Sequence, residues 1–258
     1  MANLKDEAIC IRHWDWSETS QTVSLFTRNH GILRGIAKGS KREKAPFSGG
    51  IELASRGEIV AIVKAHHTAG GLATFTSWDL LDTFPAVRRT HLGFRIAMGI
   101  LDALGQAMRE TDAHPALFDG TVHSLQALDG PPVDQLAALI AFLLLLLKET
   151  GHAPELTLDV RTGDPTGPAT VLGFSPFRGG VTNLQTPEPD SATIWRVRFE
   201  TIELLRMIAS ESHHGANAPE AALKRAVSLL SAYLRHVLES DIPALASLQL
   251  RDSHERGS

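Results

Sequence analysis

Short runs of apolar and polar residues alternate through the first 80 positions of the chain. Ala8–Arg12 is apolar and strand-compatible, and Thr22–Thr27 alternates with period two for most of its length. Ile32–Lys38 follows a tight turn at Asn29-His30-Gly31, where asparagine and glycine tolerate positive φ. Ile51–Ser55 and Glu58–Lys64 read as a further pair joined by Arg56-Gly57, and Ala73–Trp78 adds another candidate. Five or six short strands separated by turn signals predict a small β-barrel.

Near residue 82 the period changes. Leu92, Ile96, Ile100 and Leu104 recur every four residues and predict a helical face. His114-Pro115 interrupts it, Leu117–Leu128 forms a second amphipathic segment, and Gly130-Pro131-Pro132 ends that one. Asp134–Thr150 is apolar nearly all round, which predicts a helix enclosed by others and ended by Gly151. Glycines and prolines then punctuate short β-like pieces over 151–191, and helices resume at Thr193–Ser212 and Glu220–Glu239. Arg251–Ser258 reads as a frayed end. The expected fold class is α+β: a barrel over 1–80, then a mainly helical domain over 81–258 with a small β-like insertion at about 151–191.

Composition narrows the function classes. Of 258 residues, 43% are hydrophobic and 21% charged, ordinary for a globular chain with a real core. The apolar run Leu136–Leu147 is too short for the ~20 residues of a bilayer crossing, and no signal-peptide pattern opens the chain. A lone cysteine, Cys10, excludes an internal disulfide and fits a reducing cytoplasm. The expectation is a cytoplasmic, nucleoid-associated protein with no membrane partner. The net charge of −4 is unevenly spread: residues 1–80 carry 10 Lys/Arg against 8 Asp/Glu, and the remainder 15 against 21. Arg28, Arg34, Lys38, Lys41, Arg42 and Lys44 meet only Glu43 within their span, so the barrel carries either a positive patch or a lysine-rich solvated loop. On a strand, Arg34, Ile36 and Lys38 share one face with Ile32. Oligonucleotide-binding barrels commonly use the face of their second and third strands. Cations there neutralise phosphates without reading sequence. Trp14, Trp16 and Phe47 either stack bases or pack the barrel's ends.

Catalytic constellations are absent. Gly35–Lys41 lacks the spacing and the Lys-Ser/Thr pair of a phosphate loop. His66-His67 and His213-His214 have no ligands at metal spacing around them. Ser175 sits in no nucleophile elbow, and Cys10 reads as a buried thiol. No catalytic role and no cofactor is expected.

The opening residues are more specific. Arg12-His13-Trp14-Asp15-Trp16-Ser17-Glu18-Thr19-Ser20, then Leu25-Phe26-Thr27-Arg28-Asn29-His30-Gly31, then Gly35-Ile36-Ala37-Lys38-Gly39-Ser40-Lys41-Arg42 resemble the start of RecO proteins. Ala116-Leu117-Phe118, Gly151-His152-Ala153-Pro154-Glu155-Leu156, Gly173-Phe174-Ser175-Pro176 before Gly179-Gly180, and Tyr233-Leu234 follow in the family's order. The resemblance implies an OB-fold N-terminal domain and a helical C-terminal domain. It also implies binding of single- and double-stranded DNA and annealing of strands coated with single-strand-binding protein (SSB). The implied partners are the acidic C-terminal tail of SSB, RecR and, indirectly, RecA. An acidic tail needs an apolar pocket edged with cations, for which Arg88 and Arg89 beside Phe84, and Arg196 and Arg198 beside Trp195 and Phe199, are the candidates. The alternative is an OB-barrel interaction module that hardly touches DNA.

Two departures stand out. Glu239-Ser240-Asp241 occupies the place of the family's basic C-terminal stretch. The family's frequent four-cysteine zinc site is missing: alignment on Gly163 and Gly179-Gly180 puts Asp159, Thr162, Asn183 and Thr186 at the ligand positions. Thiolate and imidazole hold structural zinc, and no histidine lies between His152 and His213. Phe174, Phe177, Val160, Val171 and Leu172 are expected to pack the insertion instead, with Pro165, Pro168 and Pro176 stiffening it. A strong chelator should therefore leave the melting temperature unchanged. About one equivalent of zinc in protein purified without added metal would contradict this.

Overall fold

A computed structural model describes residues 2–47, 49–63, 71–167, 169–184, 194–210 and 218–248. Lys64, His66-His67, Pro168, Thr186, Thr193, Ser212, His213-His214 and the tail Arg251–Ser258 lie outside the described residues. The chain divides into two compact units, Met1–Gln126 and Ala127–Ser258.

The first unit is built on five strands: β1 (Ala2–Asp15), β2 (Gln21–Thr27), β3 (Gly31–Ala37), β4 (Arg56–Val63) and β5 (Ala73–Asp82). They close into a barrel in the order β1-β2-β3-β5-β4, every pairing antiparallel except β3 with β5. This is the OB-fold expected from the sequence. Ala8, Cys10, Val23, Leu25, Leu33, Ile59 and Phe75 fill the interior. Burial raises the Cys10 thiol above its ordinary value, against the Arg12 carbonyl it contacts, so it stays protonated. The turn into β3 needs glycine: Gly31 has φ 66°, and a Cβ there would lie 2.5 Å from the Asp112 carbonyl oxygen.

Helix α1 (His91–Ala107) starts at Thr90, whose side chain accepts a hydrogen bond from the Gly93 amide. Helix α2 (Pro115–Gln126) lays Phe118 against Phe26, ring centroids 5.8 Å apart.

One predicted strand does not form. Ile51–Ser55 is a turn, because the Gln21 side chain takes both backbone groups of Ile51, at 3.0 and 3.2 Å, and Ala54 has φ 53°. Arg56-Gly57, expected as a turn, opens β4 opposite Ile9 and Ala8.

In the second unit, α3 (Pro132–Glu149) packs against α4 (Phe199–Ala209) and α5 (Glu220–Leu238), and α6 (Pro243–Ser247) follows. The burial of Leu136, Leu139, Ile140, Leu143 and Leu147 fits the all-round apolar pattern of α3. Among the described residues no helix is long and apolar enough to cross a membrane.

The insertion forms a small sheet of β6 (Val171–Ser175), β7 (Gly180–Thr182) and β8 (Trp195–Arg198), in the order β7-β6-β8. The helix expected from Thr193 thus starts only at Phe199. Trp195–Arg198 runs half-buried, exposed, buried, exposed, a period of two that pairs it with β6. Phe174 stacks on Trp195 at 5.9 Å and meets Tyr233 edge-on at 5.2 Å, and Leu172 is buried. Phe177, expected to pack inside, is instead 84% exposed at the β6–β7 turn.

Asp159 ties the insertion together. One carboxylate oxygen accepts from the Thr182 hydroxyl and the Arg161 amide, each at 2.9 Å; the other accepts from the Asn183 amide at 2.8 Å. Burial works against the charge, but these donors and the Arg161 guanidinium outweigh it and hold the carboxyl below its ordinary value. A depressed folded pKa contributes stability that is complete above the unfolded value of about 4 and fades as pH falls toward the folded one. Asp159→Ala should destabilise the insertion by about 3 kcal/mol, since buried donors lose a charged acceptor. Hydrogen exchange at the Arg161 and Asn183 amides reads this, and unchanged protection would refute it.

Candidate nucleic-acid interface

The outer face of β1–β3 is defined by its ladder. Val23, Leu25, Leu33 and Ala37 point into the barrel, so Thr22, Ser24 and Phe26, and Ile32, Arg34 and Ile36, point out. The row Ile9–Phe26–Ile32 is buried, with Phe118 over Phe26. The other half of the face is only partly open, since Ser24 is buried between Arg12 and Arg34 while Trp14 and Thr74 are exposed. Its rows are Arg12–Ser24–Arg34 and Trp14–Thr22–Ile36–Thr74.

Arg12 and Trp14 reach this face through a bulge in β1. Cys10 stands opposite Leu25, whereas Arg12 stands opposite Ser24, so β1 carries one extra residue, the buried Ile11. Arg12 Nη2 then bonds to Asp102 Oδ1 at 2.9 Å, while Trp14 remains 54% exposed.

The loops at the open end are joined. The Lys41 amide donates to the Thr19 carbonyl at 3.1 Å, the Gly39 amide to Ser20 Oγ at 3.1 Å, and the Trp16 amide to the Ser20 carbonyl at 2.9 Å. Trp16 is 67% exposed in the β1–β2 turn. Phe47, the third stacking candidate, is buried in the barrel core and so packs the barrel.

The six candidate cations fall into three groups. Arg28 is committed: its fork grips both Asp119 oxygens at 2.5 and 2.8 Å, and its guanidinium lies 5.9 Å from the Phe118 ring centre. Arg34 and Lys41 each have one carboxylate, Glu110 at 3.5 Å and Asp15 at 2.6 Å. The Lys41 hydrogen bond and charge hold the Asp15 carboxyl below its ordinary value. The Lys41–Asp15 pair is exposed and screened by solvent, whereas the Glu110 side chain is only 13% exposed, so the Arg34 pair is the better shielded of the two. Lys38, Arg42 and Lys44 are exposed, and among the described residues no acid lies within ion-pair distance of them.

Sequence spacing offered no sign of these counter-charges, since Asp102 and Asp119 lie 90 and 91 residues from Arg12 and Arg28. It also missed Asp6, whose buried carboxylate accepts from the Asn29 amide and side chain at 2.9 and 2.8 Å and meets His30 Nδ1 at 2.7 Å, fixing the β2–β3 turn.

The other candidates are differently placed. Phe84 is buried, and Arg88 donates to the Thr83 and Leu53 carbonyls at 2.7 and 3.0 Å while lining a pocket of about 290 Å³ with Val87, Phe94 and Met98. Arg89 is exposed at the end of the short 3-10 turn Pro85–Arg88. In the second unit, Trp195 is committed to Phe174, Arg196 is exposed on β8, and Arg198 lies 3.8 Å from Glu200. Among the described residues, no group of three His, Cys, Asp or Glu is arranged to hold a metal.

The family model described as recombination protein O, N terminal, matches residues 1–84, and its C-terminal counterpart matches residues 96–246. The chain belongs to the RecO family. It is 31% identical over 209 residues to the DNA repair protein RecO of Rhodopirellula baltica, covering 79% of this chain and 74% of that one. The RecO of Anaeromyxobacter sp. is 27% identical over 91% of both chains. That of Dehalococcoides mccartyi is 28% identical over 97% of this chain and 98% of its own.

Arg28→Ala in this RecO-family barrel should lower stability by about 1 kcal/mol and leave the salt dependence of DNA binding unaltered. A slope reduced by about 0.7 would instead make Arg28 a phosphate contact.

Proposed function

We propose that this chain is a non-catalytic DNA repair and recombination mediator that binds single- and double-stranded DNA and anneals complementary strands. With RecR it would help load RecA onto SSB-coated single strands, working at the nucleoid. Membership of a DNA repair family supports the coarse reading. The partly open face of β1–β3, bordered by exposed Lys38, Arg42 and Lys44 and by Arg34 and Lys41, each facing one carboxylate, supports the DNA contact. An acidic chain binds a polyanion by segregating its cations onto one surface.

A second reading, an interaction module with little DNA affinity, is favoured by one observation: Arg28, Arg34 and Lys41 already face carboxylates. Annealing of complementary oligonucleotides coated with SSB separates the two, since only the mediator accelerates it. Candidates for the SSB tail remain Arg88, Arg89, Trp195, Arg196 and Arg198; a labelled tail peptide that binds every Arg→Ala variant equally would eliminate them.

Replacing Lys38, Lys41 and Arg42 together by alanine should weaken binding to all DNA sequences about equally. The salt slope on single strands should fall by about 0.7 for each phosphate that is no longer neutralised. An unchanged slope in the triple variant would remove this stretch from the interface.

A further inference from the structure

We infer that Trp14 is the residue with which this chain selects single-stranded over duplex DNA, by stacking an unpaired base on its exposed indole. The inference rests on the reading of the partly open β1–β3 face as the nucleic-acid interface. Tryptophan is among the more buried residue types on average, yet Trp14 sits inside a strand, hydrogen-bonded in register with Thr22, and is 54% exposed. Among the described residues no ring stacks on it.

Its surroundings fit a polynucleotide. The row Trp14–Thr22–Ile36–Thr74 is a strip of apolar and hydroxyl side chains. Lys38 lies one residue past the end of β3, two after Ile36, and Arg42 lies beyond in the loop tied to Thr19 and Ser20, so cations border the strip. Across the strip, Arg34 borders the other side, its side chain more than half exposed and its guanidinium 3.5 Å from Glu110. An apolar partner protein would find charged edges on two sides; a polynucleotide presents flat apolar bases and an anionic backbone, complementary to both. Trp14 and Ile36 are two strand spacings apart, about 10 Å. A base on the indole and phosphates at the cations therefore belong to one short stretch of strand.

Strand selectivity follows from where base faces are available. In a duplex each base face is covered by its neighbours, so the indole gains nothing there unless a base leaves the stack. The phosphate contacts are common to both forms. Removing the indole therefore takes away an interaction that only single strands receive.

The test measures affinity for oligo(dT) of about 15 nucleotides and for a duplex of the same length, using the full chain with Trp14→Ala, Trp14→Leu and Trp14→Phe. Alanine and leucine should each weaken single-strand binding about 5- to 150-fold, leave duplex binding within about twofold, and keep the salt slope. Phenylalanine, which retains a π-face, should recover most of the loss. Equal loss on both forms, or no loss on either, would overturn the inference while leaving the basic interface standing. Leucine binding single strands as the unsubstituted chain does would also overturn it, since the site would then be merely apolar. A chain that binds neither form even without substitution would defeat the underlying reading itself, and this inference with it. Because Trp14 is largely exposed, unchanged thermal melting of all three variants is expected.

Discussion

Between Cys10 and Arg12 the β1–β2 ladder carries one residue more on β1 than on β2, and the barrel's outer surface depends on that irregularity. Strand β1 pairs β4 through Ala2–Ile9 and β2 through Ala8–Asp15, so this single strand closes the barrel on one side and extends the open face on the other. Strict alternation from Ala8 and Cys10, both inside, would also turn Arg12 and Trp14 inward. A buried arginine and an indole in that small core would cost several kcal/mol in desolvation and overpacking. The bulge reverses the phase instead: Arg12 lands on Asp102 of α1, and Trp14 joins Thr22 and Ile36 outside.

The same packing that holds the first unit together also sorts its cations. The family-like run from Arg28 to Lys44 reads as one patch in sequence, but its members have different physical roles. Arg28 at the β2–β3 end is absorbed by α2 through Asp119 and the Phe118 ring. Arg34, in the middle, shares Glu110, the residue whose backbone bridges to Gly31 and Ile32. Lys38, Arg42 and Lys44, beyond the cover of the helices, face solvent. The gradient runs from structural clamp to free charge along a single strand and the loop after it.

Much of this architecture was legible in the sequence because its signals are local. Period-two stretches at Thr22–Thr27 and Ile32–Lys38, the Asn29–Gly31 turn and the four-residue spacing from Leu92 to Leu104 each report on a few neighbours. What escaped depends on distant partners. Ile51 looks like a strand residue, but Gln21, 30 positions away, takes its backbone groups. Trp195–Arg198 reads as the start of an amphipathic helix, since four residues cannot distinguish the two periods; pairing with β6 decides. Phe177 counts as apolar in any window, and only the β6–β7 turn shows that it points away from the sheet. Charge partners are the extreme case, because nothing near Arg12 or Arg28 announces Asp102 or Asp119.

The insertion shows how one buried carboxylate can join two segments of chain. Asp159 accepts from the Thr182 hydroxyl and the Asn183 backbone amide, 23 and 24 positions further along the chain. One carboxylate with three donors thus cross-links the two segments. A carboxylate so buried would be costly if any donor were missing, so the arrangement demands close approach of the loops. Gly180 supplies that approach: a Cβ there would lie 2.5 Å from both the Glu155 carbonyl oxygen and a Val160 methyl. The backbone pairs Glu155 to Gly179 at 2.8 Å, and Val181 to Glu155 and Val160 to Val181, each at 2.9 Å, then hold the loop against β7. The hydrogen-bonded carboxylate and the glycine beside it are therefore one device, and neither explains the fold of the insertion alone.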